Sequence, residues 1–295
     1  MASAGVLARP RPAHGPLGEA PAPTSAAASA TAPPLLEVSG LTLQYRTPAR
    51  VVTATWRIDL DVCEGDRLVL LGASGCGKSS LLKAVAGFLA PVEGEIRLAG
   101  RPVTGPGPDR VVVFQEFEQL LPWRTVRDNV AFPLRVARGL GRAEARAKAD
   151  DQLARVGLAG FADSYPHTLS GGMKQRAAIA RAMAAEPAML LMDEPFAALD
   201  ALTRRRMQEE LLALWRRMER CTVLFVTHST EEALLLGSRV VVLSPHPGRV
   251  VADIDTAPLA GMLPEDGPFR LMARKLGALL TRIGEEASSP AREAA

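Results

Sequence analysis

Apolar residues fall into distinct textures along this chain. From Leu36 to Tyr45 (LEVSGLTLQY) they alternate with polar ones, the period-two pattern of a strand with one buried face. Ile58–Val62 and Glu95–Leu98 repeat the pattern on a shorter scale. Other runs are unbroken: RLVLL at Arg67–Leu71, VVVF at Val111–Phe114, AMLLM at Ala188–Met192, VLFV at Val223–Val226 and VVVL at Val240–Leu243. Continuous runs of that length suit strands covered on both faces of a mostly parallel sheet. Ser79–Gly87 and Lys174–Ala185 read as helices, and so does Arg142–Val156, which Gly157 closes as a C-cap. Strand signals stop between Gln115 and Leu169, which predicts a helical insertion over about 116–175. After Val251 the pattern predicts a Pro-rich linker and then an amphipathic helix carrying Phe269, Met272, Leu276, Leu279, Leu280 and Ile283. That stripe reads as a helix folded onto the core, with a partner or dimer contact as the minority reading. The whole predicts an α/β fold: a mostly parallel sheet, an antiparallel β portion and a helical insertion subdomain.

Composition narrows the function classes. The chain has 295 residues, 47% hydrophobic and 23% charged, which is globular and enough for a substantial core. A net charge of +3 is too small an excess to argue for nucleic acid. Cys63, Cys76 and Cys221 lie far apart, with no C-x-x-C, and point to no disulfide frame or structural metal. No apolar stretch approaches the ~18 residues that a spanning helix needs. Residues 1–34 are almost all Ala, Pro, Ser, Thr and Gly, with Glu19 the only acid and no apolar h-region, so they read as a disordered extension and not as a secretory signal. The expected organisation is this extension, a domain over 35–251, and a linker and helix over 252–295.

The candidate chemistry begins at Gly72–Ser80 (GASGCGKSS), which matches G-x-x-x-x-G-K-[ST] through Gly72, Gly77, Lys78 and Ser79. Glycines let backbone N–H groups turn inward on phosphates, a lysine adds a point charge, and a hydroxyl reaches Mg²⁺. A strand before the loop and a helix after it support the match, since the helix N-terminus then faces the anion. The AMLLM run ends in Asp193-Glu194-Pro195, at a strand C-terminus where open α/β sheets place ligands. An aspartate there can hold Mg²⁺ through water, and an adjacent glutamate can orient or deprotonate an attacking water. Ser170 in LSGGM is a natural N-cap before a helix, and its glycines allow close approach of a phosphate.

Together, LSGGMKQR, GASGCGKSS and LLMDEP resemble the ATP-binding subunits of ABC transporters, over about Leu35 to Val251. The resemblance implies a P-loop NTPase core that binds ATP with Mg²⁺. The nucleotide would be held by Gly72, Ala73, Ser74, Gly75, Cys76, Gly77, Lys78, Ser79 and Ser80, with Tyr45 stacked on adenine. Ser170, Gly171 and Gly172 would bind the γ-phosphate of ATP held by the opposite subunit, and Asp200, in Ala198-Leu199-Asp200, would cross the dimer interface. Ser79, Gln115 and Asp193 would serve the metal. Glu194, His228 and Gln115 would carry the catalytic roles, Gln115 touching both Mg²⁺ and the attacking water and His228 switching onto the γ-phosphate. Ser80 stands where threonine is usual. Ser229 follows His228 where the family often has aspartate, which predicts weaker fixing of that loop.

The segments VVVFQEFEQLLPWRTVRDNV and RVVVLSPHPGRV are similar to the nitrate, sulfonate and taurine importer class. That implies a head-to-tail homodimer on the cytoplasmic face of the inner membrane. It would work with transmembrane permease subunits and, indirectly, a periplasmic solute-binding protein. Leu120, Leu121, Pro122 and Trp123 offer a short apolar patch for a permease helix; the other reading packs Trp123 inside the insertion. The alternatives are an exporter ATPase and a soluble ABC ATPase acting on DNA or ribosomes. Nothing in the chain names the cargo.

Overall fold

The computed structural model describes residues 33–48, 50–114, 119–197, 200–216 and 221–288. Two sheets organise them. The first is antiparallel, four strands in the order β2 (Val51–Val62), β1 (Leu36–Arg46), β4 (Glu93–Leu98), β5 (Arg101–Pro102). The second has six strands in the order β10 (Val250–Asp255), β9 (Arg239–Leu243), β3 (Arg67–Leu71), β8 (Thr222–Thr227), β7 (Met189–Asp193), β6 (Arg110–Val113). All of its pairings are parallel except β10 with β9.

The unbroken apolar runs are explained by two cores, one on each face of the parallel sheet. Leu68, Leu70, Leu191, Leu224, Val226 and Val241 point to one face, where α1 (Lys78–Val85) and the antiparallel sheet cover them. Val69, Leu71, Leu190, Met192, Phe225 and Val242 point to the other, under the helices. Successive residues of a strand face opposite ways, so both sets must be apolar when both faces are covered.

Among the described residues, the stretch between β6 and β7 is mostly helical. It contains α2 (Val126–Val136), α3 (Arg142–Arg155) and α4 (Gly171–Ala184). Strong helix formers make α3, and Ala145, Ala149 and Leu153 recur every four residues as its buried stripe. Gly157 ends that helix with φ of 70°, a left-handed conformation that glycine takes without strain. Thr125 caps α2 by accepting from the Asp128 amide at 3.1 Å.

The structure departs from the pattern reading in places. The β2 strand begins at Val51, not near Ile58, because only its second half alternates; Val51 and Val52 are exposed at the sheet end. Residues 250–255 form edge strand β10 instead of a linker and run across the boundary suggested at 251. The helix predicted from Lys174 starts at Gly171, so the glycines after Ser170 occupy its first turn. Two further helices, α5 (Ala201–Arg216) and α6 (Thr230–Leu236), precede α7 (Gly267–Ser288). In α7, Phe269, Leu276 and Ile283 are buried against the core, and Met272, Leu279 and Leu280 are partly buried beside them.

Candidate active site

The phosphate loop joins β3 to α1. Its backbone is braced from two sides. Gly77 has φ of 93°, and a side chain there would meet Ala54 O at 2.6 Å and Thr55 Cγ2 at 2.7 Å, both in β2. On the other side Gly248, in the β9–β10 turn, lies so close that a Cβ would stand 2.1 Å from Cys76 O. Gly248 N–H donates to Ala54 O, and Trp56 N–H donates to Gly248 O, each at 2.9 Å. Lys78 is only 4% exposed. Its Nζ donates to Gly72 O and Ala73 O, both at 2.8 Å, so the ammonium stands at the mouth of the loop with its charge desolvated. Burial raises the pKa of the adjacent Cys76 thiol, which stays a neutral packing group although Lys78 opposes the shift.

Hard oxygens and a carboxylate–imidazole pair complete this end. Ser79 Oγ donates to Asp193 Oδ1 at 2.8 Å, joining the first turn of α1 to the end of β7. Burial pushes the Asp193 pKa up; the Ser79 bond opposes this, and the neighbouring Glu194 charge adds to it. Glu194 adopts φ of 44°, a left-handed backbone for a residue with a Cβ. Its N–H donates to Val226 O at 3.1 Å, which holds the turn against β8. Its Oε2 lies 3.2 Å from His228 Nδ1. Backbone of this kind is retained where the surroundings over-determine it, and it directs the carboxylate toward the imidazole.

His228 follows β8, and the loop it sits in is well tied. Ser229 N–H donates to Thr227 Oγ1 at 3.0 Å, and Ser229 Oγ caps α6 by accepting from the Glu232 amide at 3.3 Å. Ser229 therefore ties this loop to the first turn of α6. Behind it, Thr227 Oγ1 donates to Glu232 Oε2 at 2.6 Å, and Gln208 Nε2 donates to Glu232 Oε1 at 3.1 Å. This buried network was not read from the sequence; a glutamate one turn into an apolar helix was its only signal.

Tyr45 is 40% exposed, and its hydroxyl donates to Ser80 Oγ at 3.0 Å, bringing the ring to the edge of the phosphate loop. Ser170 Oγ caps α4 at 3.4 Å from Met173 N. Among the described residues, Ser170, Gly171 and Gly172 make no hydrogen bond to Lys78, Asp193, Glu194 or His228. Asp200 Oδ1 accepts from Thr203 N at 3.0 Å; hydrogen bonding from the Thr203 side chain, and then from its backbone, lowers the Asp200 pKa. Gln115, Ala198 and Leu199 lie outside the described residues.

Among the described residues, no group of three or more His, Cys, Asp or Glu side chains forms a metal cage. Ser79 and Asp193 offer two hard oxygens beside a phosphate cradle. That suits Mg²⁺, which takes few protein ligands and completes its shell with substrate phosphates and water.

The ABC transporter family profile matches residues 56–197. The taurine import ATP-binding protein TauB of Rhizobium johnstonii is 55% identical over 206 residues, spanning 70% of this chain and 78% of that protein. TauB of Sinorhizobium fredii is 49% identical over 238 residues, 78% of this chain and 88% of that protein. The chain belongs to the ABC transporter ATP-binding subunits.

Solved ABC cassettes share its fold. A dimeric cassette in a post-hydrolysis state, bound to ADP and Pi, is 30% identical with a TM-score of 0.65, covering 75% of this chain and 98% of that one. A Clostridium perfringens cassette, part of the cbiONQ transporter complex, is 26% identical with a TM-score of 0.68, covering 87% of this chain and 99% of that one. This ABC subunit is thus an ATPase whose hydrolysis is coupled to transport. None of its described helices is long and apolar enough to cross a membrane.

Proposed function

We propose that the chain powers an importer of a small anionic solute, of the nitrate, sulfonate or taurine kind, as a head-to-tail homodimer docked on permease subunits at the cytoplasmic face of the inner membrane. The Ser79–Asp193–Glu194–His228 line at the mouth of the phosphate loop carries the mechanistic part of this reading. The likeness to taurine importer subunits carries the substrate class.

In this reading the loop amides and Lys78 hold the ATP phosphates, and the Tyr45 ring stacks on adenine. Ser79 and Asp193 would hold Mg²⁺, which would supply positive charge against the ATP phosphates. Glu194 orients the attacking water and takes its proton. His228 leaves Glu194 for the γ-phosphate, which frees the carboxylate for that task. Ser170 and Gly172 of a second copy close on the same γ-phosphate, so ATP joins the two subunits. Phosphoryl transfer to water is chiefly positioning and charge stabilisation, and both need the second copy in place. Hydrolysis removes the bridging charge, and the pair reopens.

A rigid turn supports the permease assignment. Asn129 is fully buried; its Oδ1 accepts from Leu121 N at 2.7 Å, and its Nδ2 donates to Leu121 O at 3.0 Å. That clamp buries Leu120 and leaves Trp123 72% exposed, which removes the reading of Trp123 as a core residue. A fixed aromatic on the surface suits an anchor for a permease helix.

Glu194→Gln tests the mechanism. Glutamine keeps size and hydrogen bonding but cannot accept the water proton. With ATP and Mg²⁺ the variant shifts from monomer to dimer on size exclusion, while the wild type does not accumulate a dimer. A variant that stays monomeric with ATP bound overturns the sandwich, and wild-type turnover overturns the role of Glu194.

A further inference from the structure

The carboxylate of Glu232, on α6, is buried where three elements meet. Its Oε2 accepts from Thr227 Oγ1 at 2.6 Å, at the end of β8. Its Oε1 accepts from Gln208 Nε2 at 3.1 Å and lies 3.9 Å from Arg204 Nε, both on α5. Thr227 and Gln208 are buried as well, and a donor in such a place recovers little from solvent when it loses its acceptor. The same Thr227 Oγ1 accepts from Ser229 N–H at 3.0 Å, so the residues before and after His228 are tied to each other across it. Helix α5 also reaches the loop that carries Glu194. Arg204 Nε donates to Phe196 O at 3.4 Å, and Ala197 N–H donates to Glu194 O at 3.1 Å in the same turn. The loops of Glu194 and His228 thus share one backing helix.

We infer that Glu232 is a positioning residue for ATP hydrolysis, which fixes the pivot from which the His228 side chain faces Glu194. It acts through Thr227 and Ser229. A carboxylate suits the place because it accepts from two donors at once and offers none in return. With the backbone held on both sides, His228 moves by rotation of its side chain. The 3.2 Å contact with Glu194 then depends on where α5 and Glu232 set that pivot. Misplacing a catalytic group by about 1 Å can cost on the order of 10²-fold in rate. The kinetic half of this inference rests on the proposed roles of Glu194 and His228; the placement of His228 does not.

The test exchanges the two partners across α5 and α6 in the full chain. Glu232→Gln sets an amide N–H₂ against the Thr227 hydroxyl or the Gln208 amide. Gln208→Glu sets a second buried carboxylate beside Glu232. Each alone is expected to lower kcat about tenfold, with the Kd for ATP within about twofold of wild type, since the group acts on geometry at the reacting end. The double variant restores a carboxylate–amide pair and is expected to return kcat to within about threefold of wild type, as coupled neighbours do. The chain has four histidines, and the peak lost in His228→Gln assigns His228 in ¹H–¹³C spectra of the nucleotide-free protein. That peak is expected to move in both single variants and to return in the double one. An unmoved peak overturns the positioning role whatever the rate. A double variant no better than the poorer single variant overturns the tie to α5. Parallel loss of ATP affinity and kcat marks Glu232 as a purely structural group and overturns the inference too. A moved peak with wild-type kcat overturns the kinetic half alone. Where a single variant does not fold, the kcat and the His228 peak of the double variant decide. Wild-type turnover in His228→Gln would sink the catalytic reading of His228 separately, without touching the peak positions.

Discussion

Lys78 is 4% exposed and held by two carbonyls of its own loop, whereas Ser170 is exposed and, among the described residues, its hydroxyl accepts from the amide of Met173. The first is the interior of a finished cradle, braced by β2 and by Gly248. The second is an exposed helix N-terminus that, among the described residues, makes no hydrogen bond to Lys78, Asp193, Glu194 or His228. In the proposed function, one copy supplies a preorganised half that binds phosphate and a second half that meets another molecule's phosphate. That reading makes binding and turnover separable, and substitutions on the two sides should separate them.

Lys78→Ala breaks the finished half. Charged hydrogen bonds to phosphate are worth about 1.5–3 kcal/mol each, so losing them should cut turnover by about 10²-fold or more. Isothermal titration with ATP, alongside a steady-state assay, should show both binding and turnover lost in a protein that still unfolds cooperatively. Ser170→Arg attacks the waiting half. A bulky cation at the N-terminus of α4 blocks closure and opposes the helix dipole. Turnover should fall about 10–100-fold on the premise that transition-state contacts are worth a few kcal/mol, while the Kd for ATP of the isolated subunit stays near wild type. Equal loss of both would mean that Ser170 serves its own subunit's nucleotide.

Trp123→Ala bears on neither half directly. An exposed aromatic anchor at an interface is commonly worth 2 kcal/mol or more, about 30-fold in affinity for the permease. Pull-down with the permease should weaken by that order while the basal rate of the isolated subunit holds. Parallel loss of the basal rate would return Trp123 to a structural role.

The smallest effect sharpens the picture of the finished half. Burial raises the Asp193 pKa, so the folded, metal-free protein holds that proton more tightly than the unfolded chain does. A raised folded-state pKa contributes stability below the ordinary carboxylate value and loses it as pH rises through the shifted value. Near neutral pH the ionised carboxylate therefore works against the metal-free fold. Asp193→Asn should raise the metal-free Tm by about 1–3 °C near neutral pH, and the gain should shrink as pH falls toward the ordinary carboxylate range. Adding ATP and Mg²⁺ should reverse the order, with wild type gaining more. Scanning calorimetry across pH reads both.

These contrasts track what the sequence made legible. The phosphate loop could be read because its backbone requirement names its residues: Gly77 with its positive φ admits no substitute. The central strands could be read because two covered faces force unbroken apolar runs. Gly248 could not be ranked above other turn glycines, since its importance lies in contact with Cys76, far away in sequence. The first half of β2 was hidden because its valines are exposed at a sheet end and its alternation begins only at Ile58. Strand β10 was hidden for a similar reason, as Val250 and Val251 are exposed on an edge. The Glu194–His228 contact joins loops after two strands, and spacing alone cannot place them together.

The position of β3 has a consequence for how the protein comes into being. The phosphate loop is made early on the ribosome, yet both sheet neighbours of the strand that carries it, β8 and β9, come near the end of the chain. Gly248, the brace on Cys76, is later still. Contacts of such long sequence separation form late, after loop closure over most of the polypeptide. A nascent chain with the complete GASGCGKSS motif but no residues beyond β7 therefore has the motif without the cradle. Nucleotide capture is a property of the completed polypeptide, and a partly synthesised subunit has no means to bind ATP or to pair with a neighbour through it.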